Sequence, residues 1–390
     1  NIDIVILGMH AKKDNPELKE AQRMNLKIQS YPEFLALLSE KKTRVVIAGS
    51  DGKTTITAMI LHALEYHGIE TDYMVGAPAN ENSKNLSMGN KNDFVLLEGD
   101  EYLSSIIDPQ PKFLWYTPEI TLISGIAWDH INVFPTFDDY VTQFEIFIYS
   151  IKAGGILIYN EEDEVLKKLV ESIEHPIKKI GYNSPDHFID KGQTYLETDE
   201  GNLPLMVFGS HNLQNLAGAQ WISQLMGLDR SDFFESMPSF KGVSKRLELF
   251  SKGKNNFLFK DFAHSPSKVK ATSLAFKNQF ERKKIIVCLE LHSYSSLDSK
   301  FIKQYANSLD SVDEALIFYD FEALKIKNKT AIFPMTIERE FDHNSLTVFT
   351  EVSKLQTSLL GRNYSNVVMV MMSSGNFGGI NWVALGECFI

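Results

Sequence analysis

Short apolar runs alternate with amphipathic segments along the whole chain, a pattern typical of stacked βαβ units around a mostly parallel sheet. The first eight residues, NIDIVILG, predict a strand, and residues 16–25 predict a helix. The run TRVVIAG at 43–49 predicts a buried strand, and a helix is predicted to follow it from 53 to 67. The other elements predicted in the first half are strands at 94–97, 120–126 and 155–159 and helices at 137–151 and 161–173.

The second half of the chain repeats this alternation after an interruption. A polar stretch from Asn183 to Asn202 predicts no regular structure, a helix is predicted to open at His211, and residues 239–250 predict a hinge. The segment after the hinge predicts an independent open α/β domain. Its predicted strands lie at 257–262, 284–290, 314–319 and 367–373, and its predicted helices lie at 265–280, 299–309 and 351–361.

The stretch GSDGKTT at 49–55 joins a predicted strand to a predicted helix, and its composition indicates a phosphate site. Glycines allow backbone N–H groups to turn toward an anion, and the N-terminus of the helix adds a positive dipole. Lys53 would neutralise the terminal phosphates of a nucleotide, and Thr54 would hold Mg²⁺. The standard loop has a glycine five residues before Gly52, where this chain has Ile47, so this loop is a variant. A turn that binds no ligand is the alternative.

Asp51 places a carboxylate inside this loop, where a phosphate would repel it. Because backbone N–H groups make the phosphate contacts in such loops, we expect the Asp51 side chain to point away from the phosphate or to reach a metal-bound water. The nucleotide-binding residues predicted in the loop are Gly49, Ser50, Asp51, Gly52, Lys53, Thr54 and Thr55.

Composition narrows the class of partner. The chain has 390 residues, enough for two or three domains, and a formal charge of −11, which argues against a nucleic acid or an anionic membrane as a partner. Its two cysteines, Cys288 and Cys388, favour a reducing cytoplasm over a disulfide scaffold or a zinc site. No apolar run approaches the roughly 20 residues of a membrane span. The chain begins inside a predicted strand without an initiator Met, so we expect the true N-terminus to lie upstream.

A set of segments, in order along nearly the whole chain, together resembles the motifs of the Mur ligase family. The loop follows the family spelling A-G-x-x-G-K-T-T, and MSSGNFGGI at 372–380 is similar to a motif of the murein peptide ligase subgroup, which recycles cell-wall tripeptide. The other segments are VLLEGDEYLSS (95–105), GIAWDHINVFP (125–135), GSHNLQNLAGA (209–219), KGVSKRLELF (241–250) and DFAHSP (261–266).

The resemblance implies a three-domain α/β architecture, with a P-loop-type ATPase sheet in the centre and a Rossmann-like domain at the C-terminus. Residues 1–41 would be the remainder of an incomplete N-terminal domain that binds the UDP-sugar. Residues 42–244 would form the ATP-binding domain, and residues 245–390 the ligand-binding domain. The resemblance also implies ATP and Mg²⁺ as cofactors, and UDP-N-acetylmuramate with a peptide or amino acid as partners; the oligomeric state stays open.

The implied reaction is an ATP-dependent amide ligation in peptidoglycan recycling. The γ-phosphate would move to the carboxylate of UDP-N-acetylmuramate, and the amine of L-alanyl-γ-D-glutamyl-meso-diaminopimelate would attack the acyl phosphate. Such chemistry needs cations around the γ-phosphate and metal ligands nearby. The resemblance assigns catalytic roles to Lys53, His130, Arg246 and His264, Mg²⁺ binding to Thr54, Glu98 and His130, and further nucleotide contacts to His211, Asn212, Asn215, Arg246 and Asp261.

Several of these roles have a plainer alternative. Asn212 is also a favourable helix cap, and His130 and His264 could be packed or loop histidines. Asp100 and Glu101 could either support the metal site or form a solvated acidic turn. The alternatives differ in whether these side chains are buried and paired.

Certain positions depart from the family pattern. Gly125 and Ala127 stand where the family usually has Asn and Glu. Ser293 and Ser296 stand where arginines usually grip the carboxylate of the incoming amine, and Ser265 replaces a second histidine. These departures leave three alternatives open: an L-alanine-adding ligase, a degenerate nucleotide-binding homologue without ligase activity, and a ligase of the folate or cyanophycin type.

Overall fold

The computed structural model describes residues 2–76, 84–244, 246–321, 324 and 332–390. The chain divides into two compact units, one of Asn1–Pro185 with Gln214–Met237 and the other of Asp186–Leu213 with Pro238–Ile390. The predicted three-domain division stays a prediction. Lys245, within the predicted hinge, lies outside the described residues.

The described part of the first unit contains a seven-stranded sheet with mostly parallel strands, a separate pair of strands, and several helices. Its strands are β1 (Ile4–Leu7), β2 (Lys27–Ser30), β3 (Thr43–Ala48), β4 (Asp72–Met74), β5 (Leu86–Ser87), β6 (Phe94–Glu98), β7 (Ile120–Ile123), β8 (Ile156–Asn160) and β9 (Lys178–Tyr182). Its helices are α1 (Pro16–Arg23), α2 (Tyr31–Leu38), α3 (Lys53–Tyr66), α4 (Phe137–Tyr149), α5 (Glu164–Ser172), α6 (Ser210–Leu225), which begins in the second unit, and α7 (Arg230–Ser236). Strands β1 and β2 form a separate parallel pair, and the others are ordered β5-β4-β6-β3-β7-β8-β9.

Strand β3 lies in the middle of this sheet, and its neighbours are parallel to it. Val45, Val46 and Ile47 are fully buried, as expected for a parallel strand that is covered on both faces. Strand β3 pairs with β6 on one side and β7 on the other, and Ile47 lies opposite Glu98. The carboxyl ends of these three strands therefore meet at one edge, where ligands bind in open α/β sheets.

Helix α4 packs one apolar stripe into the core of the first unit. Tyr140, Phe144 and Phe147 recur at helical spacing and are fully buried, and the Phe147 ring stacks on Phe113 with a centroid distance of 4.4 Å. Thr136 caps the first turn of the helix through its side chain. The packing fixes the rotation of α4 and directs Tyr140 inward.

The second unit contains two sheets among its described residues. Its strands are β10 (His187–Asp190), β11 (Gln193–Thr198), β12 (Gly201–Leu205), β13 (Glu248–Lys252), β14 (Phe257–Asp261), β15 (Lys284–Glu290), β16 (Glu314–Phe318), β17 (Leu346–Phe349) and β18 (Val367–Met372). Its helices are α8 (Pro266–Gln279), α9 (Pro334–Phe341), α10 (Val352–Leu360) and α11 (Trp382–Glu387). The larger sheet is ordered β13-β14-β18-β15-β16-β17, and its pairs are parallel except for β13 with β14.

The prediction of an irregular stretch at 183–202 is wrong. Strands β10, β11 and β12 form a three-stranded antiparallel sheet there. The turn between β10 and β11 is formed by Lys191 and Gly192 with φ of 50° and 80°, as two-residue hairpin turns require. The polar composition misled the prediction because such a sheet can leave one face in water and needs few apolar residues.

The predicted helix at 299–309 is also wrong, because the structure has a single 3₁₀ turn there, at Ile302–Tyr305. Phe301, Ile302 and Tyr305 are buried, and their spacing imitates a helical stripe. The other predicted strands and helices are present with shifted ends. The sequence did not predict β2, α2, β4, β5, β9, α7, β13, α9, β17 and α11. Every helix in the described part of the chain is too short or too polar to cross a membrane.

Candidate nucleotide and metal site

The loop between β3 and α3 has a shape that requires glycine at two positions. Gly49 and Gly52 have φ of 121° and 83°. A Cβ at Gly49 would overlap the Ser124 hydroxyl, and a Cβ at Gly52 would overlap the Asn215 Oδ1 atom. Asn215 of α6 therefore lies directly against the loop, and its nucleotide role stays a prediction. Since Gly52 is the N-cap of α3 and has no side chain to cap it, the first amides of the helix remain suited to an anion.

Lys53 opens helix α3 and folds back over the loop. Its Nζ atom lies 2.5 Å from the Gly49 carbonyl oxygen and 2.7 Å from Glu101 Oε2. Burial alone would lower the pKa of Lys53, but the negative charges of Glu101 and Asp100 raise it above its ordinary value, so the ammonium stays charged. Glu101 is only 1% exposed and is thus a buried partner of Lys53 rather than part of a solvated turn.

Thr54 and Glu98 supply hard oxygen atoms beside this lysine. The Thr54 hydroxyl donates to Glu98 Oε1 at 2.8 Å, and the Gly76 N–H donates to Glu98 Oε2 at 2.7 Å. Glu98 ends β6 and is 9% exposed. A hydroxyl and a carboxylate at this separation are ligands that Mg²⁺ accepts, so the donor set fits the predicted ion.

Asp100, Glu101 and His130 form a second group whose ligand atoms all lie within 4.8 Å of one another. His130 Nε2 lies 3.7 Å from Glu101 Oε1, and the His130 backbone has φ of 55°. Burial would raise the pKa of Asp100, but the positive charges of Lys53 and Lys112 lower it to about 2, and Lys112 Nζ donates to its carboxylate. Asp100 is therefore ionised at neutral pH, and the metal role predicted for His130 stays a prediction.

The segment after β7 shows what stands in place of the side chain that the family pattern has at Gly125. A Cβ at Gly125 would lie 2.7 Å from Asp163 Oδ2, so the Asp163 carboxylate occupies that space. Asp163 accepts the Ile126 N–H at 2.8 Å and, through Oδ1, the Leu166 N–H at 2.9 Å, which caps α5. No sequence motif pointed to Asp163, because its role depends on the approach of the loop between β8 and α5.

The start of helix α6 carries two further predicted residues, both in the second unit. The Asn212 side chain is buried and donates to the Phe208 carbonyl oxygen at 2.9 Å. Gly209, with φ of 91°, precedes the helix, and the His211 ring lies close to it. These contacts shape the turn into α6, and the adenine roles of His211 and Asn212 stay predictions.

The remaining predicted residues cluster at the end of β14 in the second unit. Both Asp261 oxygen atoms accept backbone N–H groups at 2.8 Å, one from Ala263 and one from Leu247. The Arg246 guanidinium lies 5.6 Å from the centre of the Phe262 ring. Asp261 therefore fixes the backbone next to Arg246, and its predicted contact with ribose stays a prediction.

His264 and the loop after β15 complete the carboxyl edge of the larger sheet in the second unit. His264 Nδ1 lies 2.7 Å from the Phe262 carbonyl oxygen. Ser293 Oγ accepts the Ser296 N–H at 3.0 Å, and the Ser296 hydroxyl donates to the Ser293 carbonyl oxygen at 3.1 Å. The two serines that replace family arginines thus stabilise their own turn, and Ser265 is the N-cap residue of α8.

Comparison with known proteins identifies the class. The family model described as "Mur ligase middle domain" matches residues 47–222. The UDP-N-acetylmuramate–L-alanine ligase of Caldicellulosiruptor bescii is 30% identical over 350 residues, which cover 86% of this chain and 74% of that protein. The chain belongs to the Mur ligase family, whose members are ATP-dependent ligases of peptidoglycan precursors.

Solved structures support the same fold. The UDP-N-acetylmuramate–alanine ligase of Thermotoga maritima matches with a TM-score of 0.71 at 20% identity, covering 99% of this chain and 84% of that one. The murein peptide ligase of Psychrobacter arcticus matches with a TM-score of 0.68 at 20% identity, covering 99% of this chain and 86% of that one. The predicted α/β architecture of the Mur ligases is therefore confirmed.

Proposed function

We propose that this enzyme joins UDP-N-acetylmuramate to L-alanyl-γ-D-glutamyl-meso-diaminopimelate, with ATP and Mg²⁺, in peptidoglycan recycling. The observation that supports this acceptor is the segment MSSGNFGGI at 372–380, which begins at the last residue of β18 and lies against the end of β15. The N–H of the buried Phe377 donates to Glu290 Oε2 at 2.8 Å, and the Ser373 hydroxyl donates to the same oxygen. The segment that resembles the tripeptide-adding subgroup is thus part of the carboxyl edge of the second unit's sheet, where ligands bind.

In the proposed reaction the residues of the first unit position and neutralise phosphate. Lys53, held by the Gly49 carbonyl and Glu101, provides a fixed positive charge at the loop. Thr54 and Glu98 would hold one Mg²⁺, and the group of Asp100, Glu101 and His130 would hold a second one. Bound Mg²⁺ would screen the phosphate charges and polarise the γ-phosphoryl group.

Residues of the second unit are proposed to complete the reaction. Arg246 would contact the γ-phosphate, because its forked and permanently charged guanidinium suits a phosphate. Asp261 would accept a ribose hydroxyl through Oδ2, which retains a lone pair beside its bond to the Leu247 N–H, whereas Oδ1 accepts both the Ala263 N–H and the Thr272 hydroxyl. His264 would face the reacting carboxylate. The cytoplasmic location expected from the sequence stays a prediction.

A second candidate is an L-alanine-adding ligase. The observation that favours it is the name of the relative from Caldicellulosiruptor bescii, which covers most of this chain. The two candidates share the phosphate chemistry and differ in the acceptor amine.

A paired assay separates the two candidates. The protein is incubated with ATP, Mg²⁺ and UDP-N-acetylmuramate, with either the tripeptide or L-alanine, and phosphate release is measured against mixtures that lack UDP-N-acetylmuramate. We expect release with the tripeptide at least about tenfold faster than with L-alanine, a difference of about 1.4 kcal/mol in transition-state binding. Release with L-alanine alone would assign the second candidate, and ADP binding without release for any acceptor would indicate the degenerate homologue.

A further inference from the structure

Tyr140 is a fully buried residue of α4 whose hydroxyl group lies between the phosphate loop and the acidic segment after β6. The hydroxyl lies 2.8 Å from Ser50 Oγ and donates to Glu101 Oε1 at 2.7 Å. Glu101 Oε2 in turn holds Lys53 at 2.7 Å. All four residues belong to the first unit.

The number of protons on each group fixes the direction of the hydrogen bonds among Ser50, Tyr140 and Glu101. An ionised carboxylate only accepts, so the single proton of Tyr140 goes to Glu101. Ser50 must therefore donate its proton to the Tyr140 oxygen, and Ser50 Oγ accepts the Ala127 N–H at 2.9 Å. The connected hydrogen bonds thus lead from the Ala127 N–H through Ser50 and Tyr140 to Glu101.

Ser50 consequently has both of its proton donors committed inside the protein. Its hydroxyl proton goes to Tyr140, and its backbone N–H donates to the Gly125 carbonyl oxygen at 3.0 Å. Ser50 was predicted as a nucleotide contact, yet its donors hold the loop in place. The loop is thus attached to the segment after β7 through Ser50, and to Glu101 through Tyr140.

Position 127, where the family pattern usually has a glutamate, carries an alanine in this protein. At Ala127 the main-chain N–H, not a side chain, contacts Ser50, and the Tyr140 hydroxyl provides the polar group beside the loop. A polar link between the loop and the acidic segment is therefore supplied from α4.

We propose that Tyr140 is a positioning residue for nucleotide binding, which holds Glu101 and the phosphate loop in register so that Lys53 is aimed at the phosphates. The inference rests on the proposed ATP site. Tyr140 would touch neither substrate nor metal, because its side chain is fully buried and its single proton is donated to Glu101.

The environment of Tyr140 keeps its proton in place. Burial raises the pKa of Tyr140 well above its ordinary value, and the negative charge of Glu101 raises it further. The ring lies 5.4 Å from the centres of both the Phe134 and Phe144 rings, so a phenylalanine would fill the same space. Tyr140→Phe therefore removes the hydroxyl and leaves the packing unchanged.

The chain contains a matched control in the same core. Tyr116 is also fully buried, and its hydroxyl has no hydrogen-bond partner among the described residues. Tyr116→Phe therefore removes a buried hydroxyl that makes no hydrogen bond among the described residues. Ser50→Ala provides a second test, because it removes the hydrogen bond between Ser50 and Tyr140 and retains the Tyr140 ring.

The test is titration calorimetry of the purified full chain with ADP and Mg²⁺, with AMP as a second probe and thermal unfolding in parallel. We expect Tyr140→Phe to weaken ADP binding on the order of tenfold, as loss of a hydrogen bond to a charged group predicts, and to leave AMP binding within about twofold. Tyr116→Phe should bind both as the wild type does. Ser50→Ala should reproduce the loss for ADP, and adding Tyr140→Phe to it should produce little further loss.

The outcomes separate the inference from the proposed function. Wild-type ADP affinity in a folded Tyr140→Phe variant, or equal losses for ADP and AMP, would overturn the positioning role and leave the ATP site intact. Failure of the wild-type protein itself to bind ADP would overturn the proposed site and the inference with it. Should Tyr140→Phe not fold, the Ser50→Ala result decides alone, and wild-type ADP affinity there overturns the proposal.

Discussion

Replacing Lys53 with alanine is expected to lower ATP-dependent phosphate release at least about a hundredfold, because a fixed cation would be lost where charge develops on the phosphoryl group. The same change leaves Glu101, which is 1% exposed, without its ammonium partner. Breaking a buried pair in this way destabilises proteins by up to about 3–5 kcal/mol. Phosphate release and thermal unfolding should therefore both be measured.

Two variants separate the activity of Lys53 from its effect on stability. Lys42 forms a similar pair with Asp72, at 2.8 Å and with side chains 10% and 1% exposed, but it precedes β3, whereas the loop follows that strand. Lys42→Ala should reduce stability and retain phosphate release. Lys53→Met combined with Glu101→Gln should recover stability and be less active than Glu101→Gln alone, which is the reference because Glu101 also belongs to the proposed second Mg²⁺ site. Normal activity in a folded Lys53 variant would contradict the proposed role of the lysine.

Gly52→Ala is the second change with a large expected effect. An alanine at φ of 83° is strained by about 1–2 kcal/mol, and its Cβ would displace Asn215 from the loop. We expect ADP affinity to fall at least about tenfold, because the first amides of α3 would no longer face the phosphates in the same geometry. Calorimetry with ADP and Mg²⁺ measures this loss.

Gly68 offers a control for the backbone effect alone. Its φ is 68°, and a Cβ there would meet no atom within 4 Å. Gly68→Ala should therefore have a similar backbone strain and bind ADP as the wild type does. Equal ADP affinities for the Gly52 and Gly68 variants would show that the close approach of Asn215 has no part in nucleotide binding.

The sequence predicts the parts of the candidate site that are formed by residues adjacent in the chain or at the end of a central strand. Gly52, Lys53 and Thr54 are consecutive, and a glycine turn between a buried strand and a helix leaves few alternatives for the backbone. Glu98 follows from its place at the end of a central strand, since parallel strands bring their carboxyl ends to one edge. The meeting of Thr54 with Glu98 at 2.8 Å agrees with that expectation.

The parts that the sequence could not supply depend on contacts between distant segments. Tyr140 has the spacing of a core residue in an amphipathic helix, and no pattern reveals that its hydroxyl reaches Glu101, 39 positions away. Asp163 is a simple helix cap until the fold places it against Gly125. The sequence alone does not decide whether Glu101 lies in a solvated turn or supports the site, because burial is a property of the packed chain.

The central claim is that ATP activates the muramate carboxylate as an acyl phosphate before the amine attacks. The most direct test uses UDP-N-acetylmuramate with both oxygen atoms of that carboxylate labelled with ¹⁸O, together with ATP, Mg²⁺ and the tripeptide. Forming the acyl phosphate joins one carboxylate oxygen to phosphorus, and attack by the amine expels that oxygen with the phosphate. The account predicts inorganic phosphate carrying one ¹⁸O atom for each amide formed, measured by mass spectrometry. Amide formation with unlabelled phosphate would contradict it.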